Sequence, residues 1–248
     1  MGEKLFFYNT LLDEGQICNQ QVERENLWKG VENGSKLLVY GKRNTGKTSI
    51  VRNVIAKRWL MEHKDGFYFY VDLMGVKTLA NISERMTLAF SEAYNRSFKM
   101  KSLFQSMLSI LKKLRPTLEL DDQGSPQLSL SFSPVQASMH FVEIIRHIKL
   151  LSQKVKSLLV FDEFQDIHGT AEADALLRGE LQNLDPETPV IIIGSKQHLL
   201  ANLFARPKAP FASWGTHIHF QPIPYDDYHD YMEIRFKKTN LSISYENA

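Results

Sequence analysis

Three short runs in this chain have no polar face: Leu-Leu-Val-Tyr at 37–40, Leu-Leu-Val-Phe at 158–161 and Val-Ile-Ile-Ile at 190–193. A strand points successive side chains to opposite sides, so a run that is apolar throughout must be covered on both. Such runs, separated by helical segments, indicate a parallel sheet with helices on both faces. Phe-Tyr-Phe-Tyr-Val-Asp-Leu at 67–73, rich in aromatic and branched residues, reads as a further strand, and 216–220 as a last one. The expectation is a three-layer α/β sandwich around a five-stranded, mainly parallel sheet built from these segments.

The first run leads directly into Gly41-Lys42-Arg43-Asn44-Thr45-Gly46-Lys47-Thr48, followed by Ser49. After it, Ile50, Val51, Val54, Ile55, Trp59 and Leu60 recur at helical spacing. Strand, loop, helix is the context that the pattern G-x-x-x-x-G-K-[ST] requires. Two glycines leave room for crowded phosphate oxygens and reach backbone angles that other residues avoid. Successive N–H groups of the loop can then form an anion nest, and the start of the helix adds free donors and a positive dipole end. The whole stretch 41–49 is therefore the candidate nucleotide-phosphate contact. Within it, Lys47 supplies a cation for the β- and γ-phosphates, and the Thr48 hydroxyl suits Mg²⁺.

The apolar run at 158–161 ends in Asp162-Glu163. Two acids at the end of a buried strand are costly unless they face a site. Beside a phosphate loop, Asp162 is the candidate metal ligand and Glu163 the candidate base for water. The loop and the acid pair are expected at the ends of neighbouring strands. Gly194-Ser195 closes the next apolar run. Ser195 could touch the γ-phosphate or orient the water, or simply begin a turn. Arg178 and Arg206 are candidates for a charge-stabilising finger, against the plainer reading of solvated arginines. Lys99, Lys101, Lys112, Lys113 and Arg115, interleaved with Phe98 and Phe104, read as the wet face of an amphipathic helix, with nucleic acid as the alternative. His217 and His219 share a strand face but lack a third ligand at metal spacing.

With 248 residues and 43% hydrophobic residues, the chain fits one large α/β domain, or one domain and part of a second. A net charge of +2 neither marks nor excludes nucleic acid as a partner. Cys18 is the single cysteine, so an internal disulfide and a cysteine-based zinc site are both excluded. No run has signal-peptide or membrane-spanning character, and Phe6 stands where a myristoylation signal needs Ser or Thr. These features fit a soluble cytoplasmic protein without a membrane partner.

The remaining segments fill in the plan. Leu5, Phe6, Phe7 and Tyr8 are expected to pack down, and 23–31 is helical, ended by Asn33-Gly34. Asn81 with Glu84 suggests a capping box. The helix they open buries Met86, Ala89, Phe90, Ala93 and Tyr94. Segments 104–114, 138–153, 171–184 and 196–204 also read as helices. Alternating Leu118, Leu120, Leu128, Leu130 and Phe132 around Gly124 suggest an inserted β-hairpin at about 117–132. From Tyr225 the chain is helical again, and 242–246 opens a further helix. The expected division is an α/β domain over 1–222 and the beginning of a helical lid over 223–248, cut inside a second domain.

Together these residues resemble the archaeal-type ATPases of the STAND branch of AAA+ P-loop proteins. The resemblance covers nearly the whole chain. It rests on Ile17-Cys18-Asn19 with Glu23, the loop with Arg43, the stretch from Val160 to Gln165, and Gly194-Ser195. Pro210-Phe211, Trp214-Gly215, Arg235-Phe236 and the hairpin complete it. It implies an AAA+ core of the ASCE type that binds ATP with Mg²⁺, a helical lid, and a nucleotide-controlled switch. Partners implied are protein or nucleic acid, and a nucleotide-dependent oligomer is compatible with it. Two positions depart from the family pattern: Asn19-Gln20 replaces Asn-Arg, and Lys42-Arg43-Asn44 replaces Pro-Arg-Arg. Two other readings stay open: a non-hydrolysing nucleotide-binding module, and a small-molecule kinase, against which the second acid, Glu163, argues. The guanine-reading motif N-K-x-D is absent from the sequence, which tilts the base preference mildly toward adenine.

Overall fold

A computed structural model describes residues 5–7, 10–96, 117–120, 126–129, 134–170, 173–205, 209 and 211–238. Tyr8, the basic stretch, the expected helix at 104–114, the hairpin turn at Gly124, Leu130, Phe132, Arg206, Pro210 and the segment 242–246 lie outside these residues.

In chain order the elements are α1 (Gln21–Glu32), β1 (Lys36–Gly41) and α2, which runs through Lys47–Ile50, a wider π-type turn at Val51–Ile55, and Ala56–Glu62. Then come β2 (Phe67–Asp72), α3 (Leu79–Arg96), β3 (Thr117–Leu120), β4 (Pro126–Ser129) and α4 (Pro134–Ser152). The second half holds β5 (Ser157–Asp162), α5 (Ala173–Gln182) and β6 (Val190–Gly194). It ends with α6 (Gln197–Leu200 continued by Ala201–Ala205), β7 (Thr216–Phe220) and α7 (Tyr225–Lys237).

Five strands form one sheet in the order β2-β5-β6-β1-β7, and each of its pairings is parallel. The alternation of side chains divides the core in two. Leu37, Val39, Leu158, Val160, Ile191 and Ile193 face α1 and α2. Leu38, Phe67, Phe69, Leu159, Phe161 and Ile192 face α3, α4, α5 and α6. This is the three-layer sandwich that the apolar runs require. The inserted hairpin is present as the antiparallel pair β3-β4, with Leu118 opposite Leu128.

Two expectations are corrected. The phosphate-loop strand β1 and the acid-bearing strand β5 are not neighbours, because β6 lies between them. And α3 is capped by Thr78, whose hydroxyl accepts the Asn81 N–H at 3.1 Å. A threonine one residue before the helix competes for the same free donors, and Asn81 already lies inside the first turn.

The strand order places the site. From β1 the chain crosses to the far edge at β2, whereas from β6 it passes over β1 to reach β7. Connections leaving neighbouring strands in opposite directions open a crevice at their carboxyl ends. Tyr40 is opposite Gly194 and Phe161 opposite Ile192, so the ends of β1, β6 and β5 arrive at one edge.

Candidate functional site

Gly41 ends β1 where a side chain would meet the Phe220 carbonyl of β7 at 2.4 Å, so close strand packing alone demands glycine there. Gly46 has φ 83°, and a side chain there would meet Ile50 Cδ1 at an ordinary 3.9 Å; here the left-handed backbone, not crowding, selects glycine. Asn44 takes the same region at φ 63°. The chain thereby folds back and α2 starts at Lys47. The Lys47 ammonium is buried and donates to Gly41 O at 3.0 Å, Lys42 O at 2.6 Å and Thr45 Oγ1 at 3.2 Å. Thr45 in turn donates to Lys42 O at 2.9 Å. Burial pulls the Lys47 pKa below the ordinary lysine value, opposed by the carboxylates of Glu163 and Asp162, with Arg43 adding to the fall.

Opposite the loop, Thr48 Oγ1 donates to Asp162 Oδ2 at 2.8 Å. Tyr70 on β2 donates to the same oxygen at 2.9 Å, and the Glu163 N–H donates to Oδ1 at 2.8 Å. Asp162 is 3% exposed. Burial raises its pKa, against the hydrogen bonds from Thr48, Tyr70 and the Glu163 amide, which favour the anion. Two hard oxygens 2.8 Å apart on separate elements, one a buried carboxylate, are a donor set suited to Mg²⁺.

Glu163 sits at φ 47°, ψ 40°, a left-handed backbone that turns it out of the strand direction. Its Oε2 accepts the Ser195 hydroxyl at 2.8 Å and the amide of fully buried Gln165. Gln165 Oε1 accepts the Ser195 N–H at 3.2 Å, so Gln165 bridges the ends of β5 and β6. Behind this bridge Asp166 pairs with Lys196 at 2.7 Å and accepts the Gly75 N–H at 2.8 Å. Burial alone would raise the Asp166 pKa, but the hydrogen bonds from Lys196 and Gly75 and the ammonium charge outweigh it and hold it low.

Loop and acids line one cavity of about 590 Å³. Arg43, Asn44, Gly46, Lys47, Thr48 and Ser49 line one part, and Asp162, Glu163 and Ser195 another. Gly41, Lys42 and Thr45 do not line it; they serve the Lys47 ammonium from behind. Phe7, Thr10, Leu11 and Leu12 of the lead-in complete the lining. That apolar side was not legible as such, since residues 5–12 carry no periodicity that would aim them. Ser49 fixes it by accepting the Leu12 N–H at 3.1 Å, while Asn53 donates to Leu12 O at 2.8 Å. The lead-in also carries α7: Tyr231 donates to Gln16 O at 2.6 Å, Arg235 to Gly15 O at 2.9 Å, and the Asn19 amide to the Asp227 carboxylate. Phe6 packs on Phe236 with ring centroids 5.5 Å apart. Gln20, at the departure from Asn-Arg, instead donates to Gln221 O at 2.9 Å.

Other candidates lie elsewhere. Arg178 lies with its guanidinium 5.8 Å from the Phe211 ring and does not line the cavity. His219 stacks on Tyr40 at 4.6 Å, and His217 meets the same ring edge-on at 6.1 Å. Phe211 and Trp214 belong to the core, packed at right angles with centroids 5.7 Å apart.

The sheet order and the position of the cavity give the α/β fold of the AAA+ P-loop ATPases, and solved structures bear this out. The chain is similar to a Walker-type ATPase of Pyrococcus abyssi, with 18% identity and a TM-score of 0.55 over 98% of this chain and 65% of that one. It is also similar to the ORC1 protein of Aeropyrum pernix solved in complex with DNA, with 14% identity and a TM-score of 0.58 over 94% of this chain and 53% of that one. The Aeropyrum pernix ORC2 protein, solved as ADPNP-ADP complexes, matches with 16% identity and a TM-score of 0.55, over 94% and 55% of the two chains. At these identities the likeness is one of fold, and this chain spans between about half and two thirds of those chains. No family model matches the sequence, and no curated protein does. Among the described residues no helix is long and apolar enough to cross a membrane.

Proposed function

We propose that this chain binds ATP with Mg²⁺ in the cavity and hydrolyses the γ-phosphate slowly, resetting a conformational switch. The observation that carries the reading is the 2.8 Å bond between Thr48 Oγ1 and Asp162 Oδ2, within the cavity that Lys47 and Glu163 also line. A phosphate loop and an acid pair that met only in sequence would have no reason to touch.

Each residue has a task. Arg43, Asn44 and Gly46 present the loop to the phosphates, and the amides at the start of α2 add donors. Lys47 exchanges a loop carbonyl for a phosphate oxygen and neutralises charge as it builds on the γ-phosphoryl group. Thr48 and Asp162 hold the magnesium ion, which when bound withdraws charge from the phosphate oxygens. Glu163 accepts the proton of the attacking water. Ser195, on this reading, sets the position of the Glu163 carboxylate and thereby of the water. Phe7, Leu11 and Leu12 offer an apolar side for a base. Because the lead-in that carries them also holds α7, nucleotide occupancy and the last helix are mechanically linked.

We further place the chain in the STAND branch of AAA+ proteins and in the cytoplasm, with 1–222 as the ATPase core and 223–248 as lid. A protein or nucleic-acid partner would activate it, with DNA the first to try, since one structural neighbour is a DNA complex. A nucleotide-dependent oligomer is part of the same proposal. The test is phosphate release by the wild type and by Glu163→Gln. The expected result is a fall of about 10²-fold or more with ATP binding retained, the scale of a lost general base. Equal rates would remove Glu163 from that role. ATP binding without any release, even with DNA added, would favour a non-hydrolysing module.

A further inference from the structure

Tyr70 reaches the site from a strand that phosphate-loop chemistry does not involve. It lies on β2, at the edge of the sheet, opposite Val160 in register, whereas Asp72 is opposite Asp162. Its hydroxyl therefore reaches diagonally, two residues along β5, to meet Asp162 Oδ2 at 2.9 Å. That oxygen is the one Thr48 also uses, at 2.8 Å. Arg52, one helical turn after Thr48, lays its guanidinium 4.3 Å over the Tyr70 ring. Swinging the ring away from Asp162 would give up this cation–π contact. The carboxylate is thus fixed by three donors from three places: α2, β2 and the backbone of Glu163.

We propose that Tyr70 is a positioning residue for Asp162 and sets the affinity of the site for Mg²⁺. The inference rests on the reading of Thr48 and Asp162 given above. The Thr48–Asp162 bond joins two residues that would both hold the cation, so this bond must rearrange when the cation arrives. The Tyr70 hydroxyl has no such second duty and can hold the carboxylate throughout. Partners that orient a metal ligand from behind typically change metal affinity about 10- to 100-fold when removed. Tyr70→Phe keeps the ring and the Arg52 stack and deletes only the hydroxyl.

The experiment uses ADP and Mg²⁺ as probes, followed by calorimetry, with thermal melting of the ligand-free protein alongside. For Tyr70→Phe the expected result is ADP affinity in EDTA within about twofold of the wild type and Mg²⁺ affinity of the ADP-bound protein weaker by about tenfold. Melting without ligand should change little. Equal Mg²⁺ affinities for the two proteins would overturn the proposal. So would parallel losses of ADP binding in EDTA and of Mg²⁺ binding, which would mark a purely structural residue. If Tyr70→Phe fails to fold, Arg52→Met takes its place, since it frees the ring but leaves the hydroxyl. Weaker Mg²⁺ binding then supports the proposal, and unchanged binding overturns it. A wild type that binds no ADP in either condition would instead overturn the nucleotide reading, and this proposal with it.

Discussion

The Ser195 hydroxyl and the Glu163 carboxylate lie 2.8 Å apart, and the Gln165 amide holds the same carboxylate oxygen. A proposed base held by two donors has its carboxylate oriented before water arrives. Ser195→Ala removes one donor and leaves Gln165 in place. The expected outcome is a fall of about tenfold or more in phosphate release, the scale of one neutral-to-charged hydrogen bond, with ATP affinity unchanged. A filter-binding assay beside the release assay separates the two. That Ser195 faces Glu163 was not legible in the sequence, since a serine after a strand fits a turn equally well. Glu163 and Asp162 were legible as a pair, because two acids closing an apolar strand have no core role. Separate roles for them were expected from the phosphate loop, but not the geometry that parts them: the left-handed backbone at Glu163 turns one carboxylate to Ser195 and leaves the other against Thr48.

Among the elements, the apolar runs at 37–40, 158–161 and 190–193 were readable as strands because they are short, rich in branched residues and separated by helical segments, as doubly covered strands are. Their order was not, since pairing is decided by contacts remote in sequence, and β6 between β1 and β5 is the result. The turn after β5 is tied to the start of α6 by Asp166 and Lys196 at 2.7 Å. The folded protein holds the Asp166 pKa below its ordinary value of 3.8, so the anion is favoured by folding. The contribution to stability is therefore present above that value and is lost as the pH falls through the lower, folded one. In acid-unfolding curves Asp166→Asn should lack this loss, and its stability should fall less steeply than the wild type's below pH 3.8. Parallel curves would contradict the assignment. The lead-in is a second element whose role only the structure discloses. Asn53→Ala removes the donor to Leu12 O, a bond worth about 1 kcal/mol. ATP affinity measured by calorimetry should fall several-fold, whereas an unchanged affinity would detach the lead-in from the nucleotide.

Taken whole, the molecule is a sheet whose two faces are sealed by different helices and whose carboxyl edge stays open. Phe161 illustrates the sealing: it is 1% exposed, between Phe69 at 5.7 Å and Phe164 at 6.2 Å. Phe161→Ala should cost about 3–5 kcal/mol in denaturant unfolding, because the surrounding rings cannot close the gap. The proposed function lies at the open edge: one cavity, lined by Lys47, Thr48 and Asp162, would hold phosphate with the first and a magnesium ion with the other two. The most direct measurement is a thermal-shift series with ATP, ADP and GTP, each with Mg²⁺ or EDTA, on the wild type and on Asp162→Asn. A ligand that binds only the folded state at 100 times its Kd adds about 2.7 kcal/mol of stability. The expected result is a rise with ATP or ADP in EDTA for both proteins, and a further rise with Mg²⁺ for the wild type alone. No shift with any nucleotide, or a magnesium increment that survives in Asp162→Asn, would contradict it.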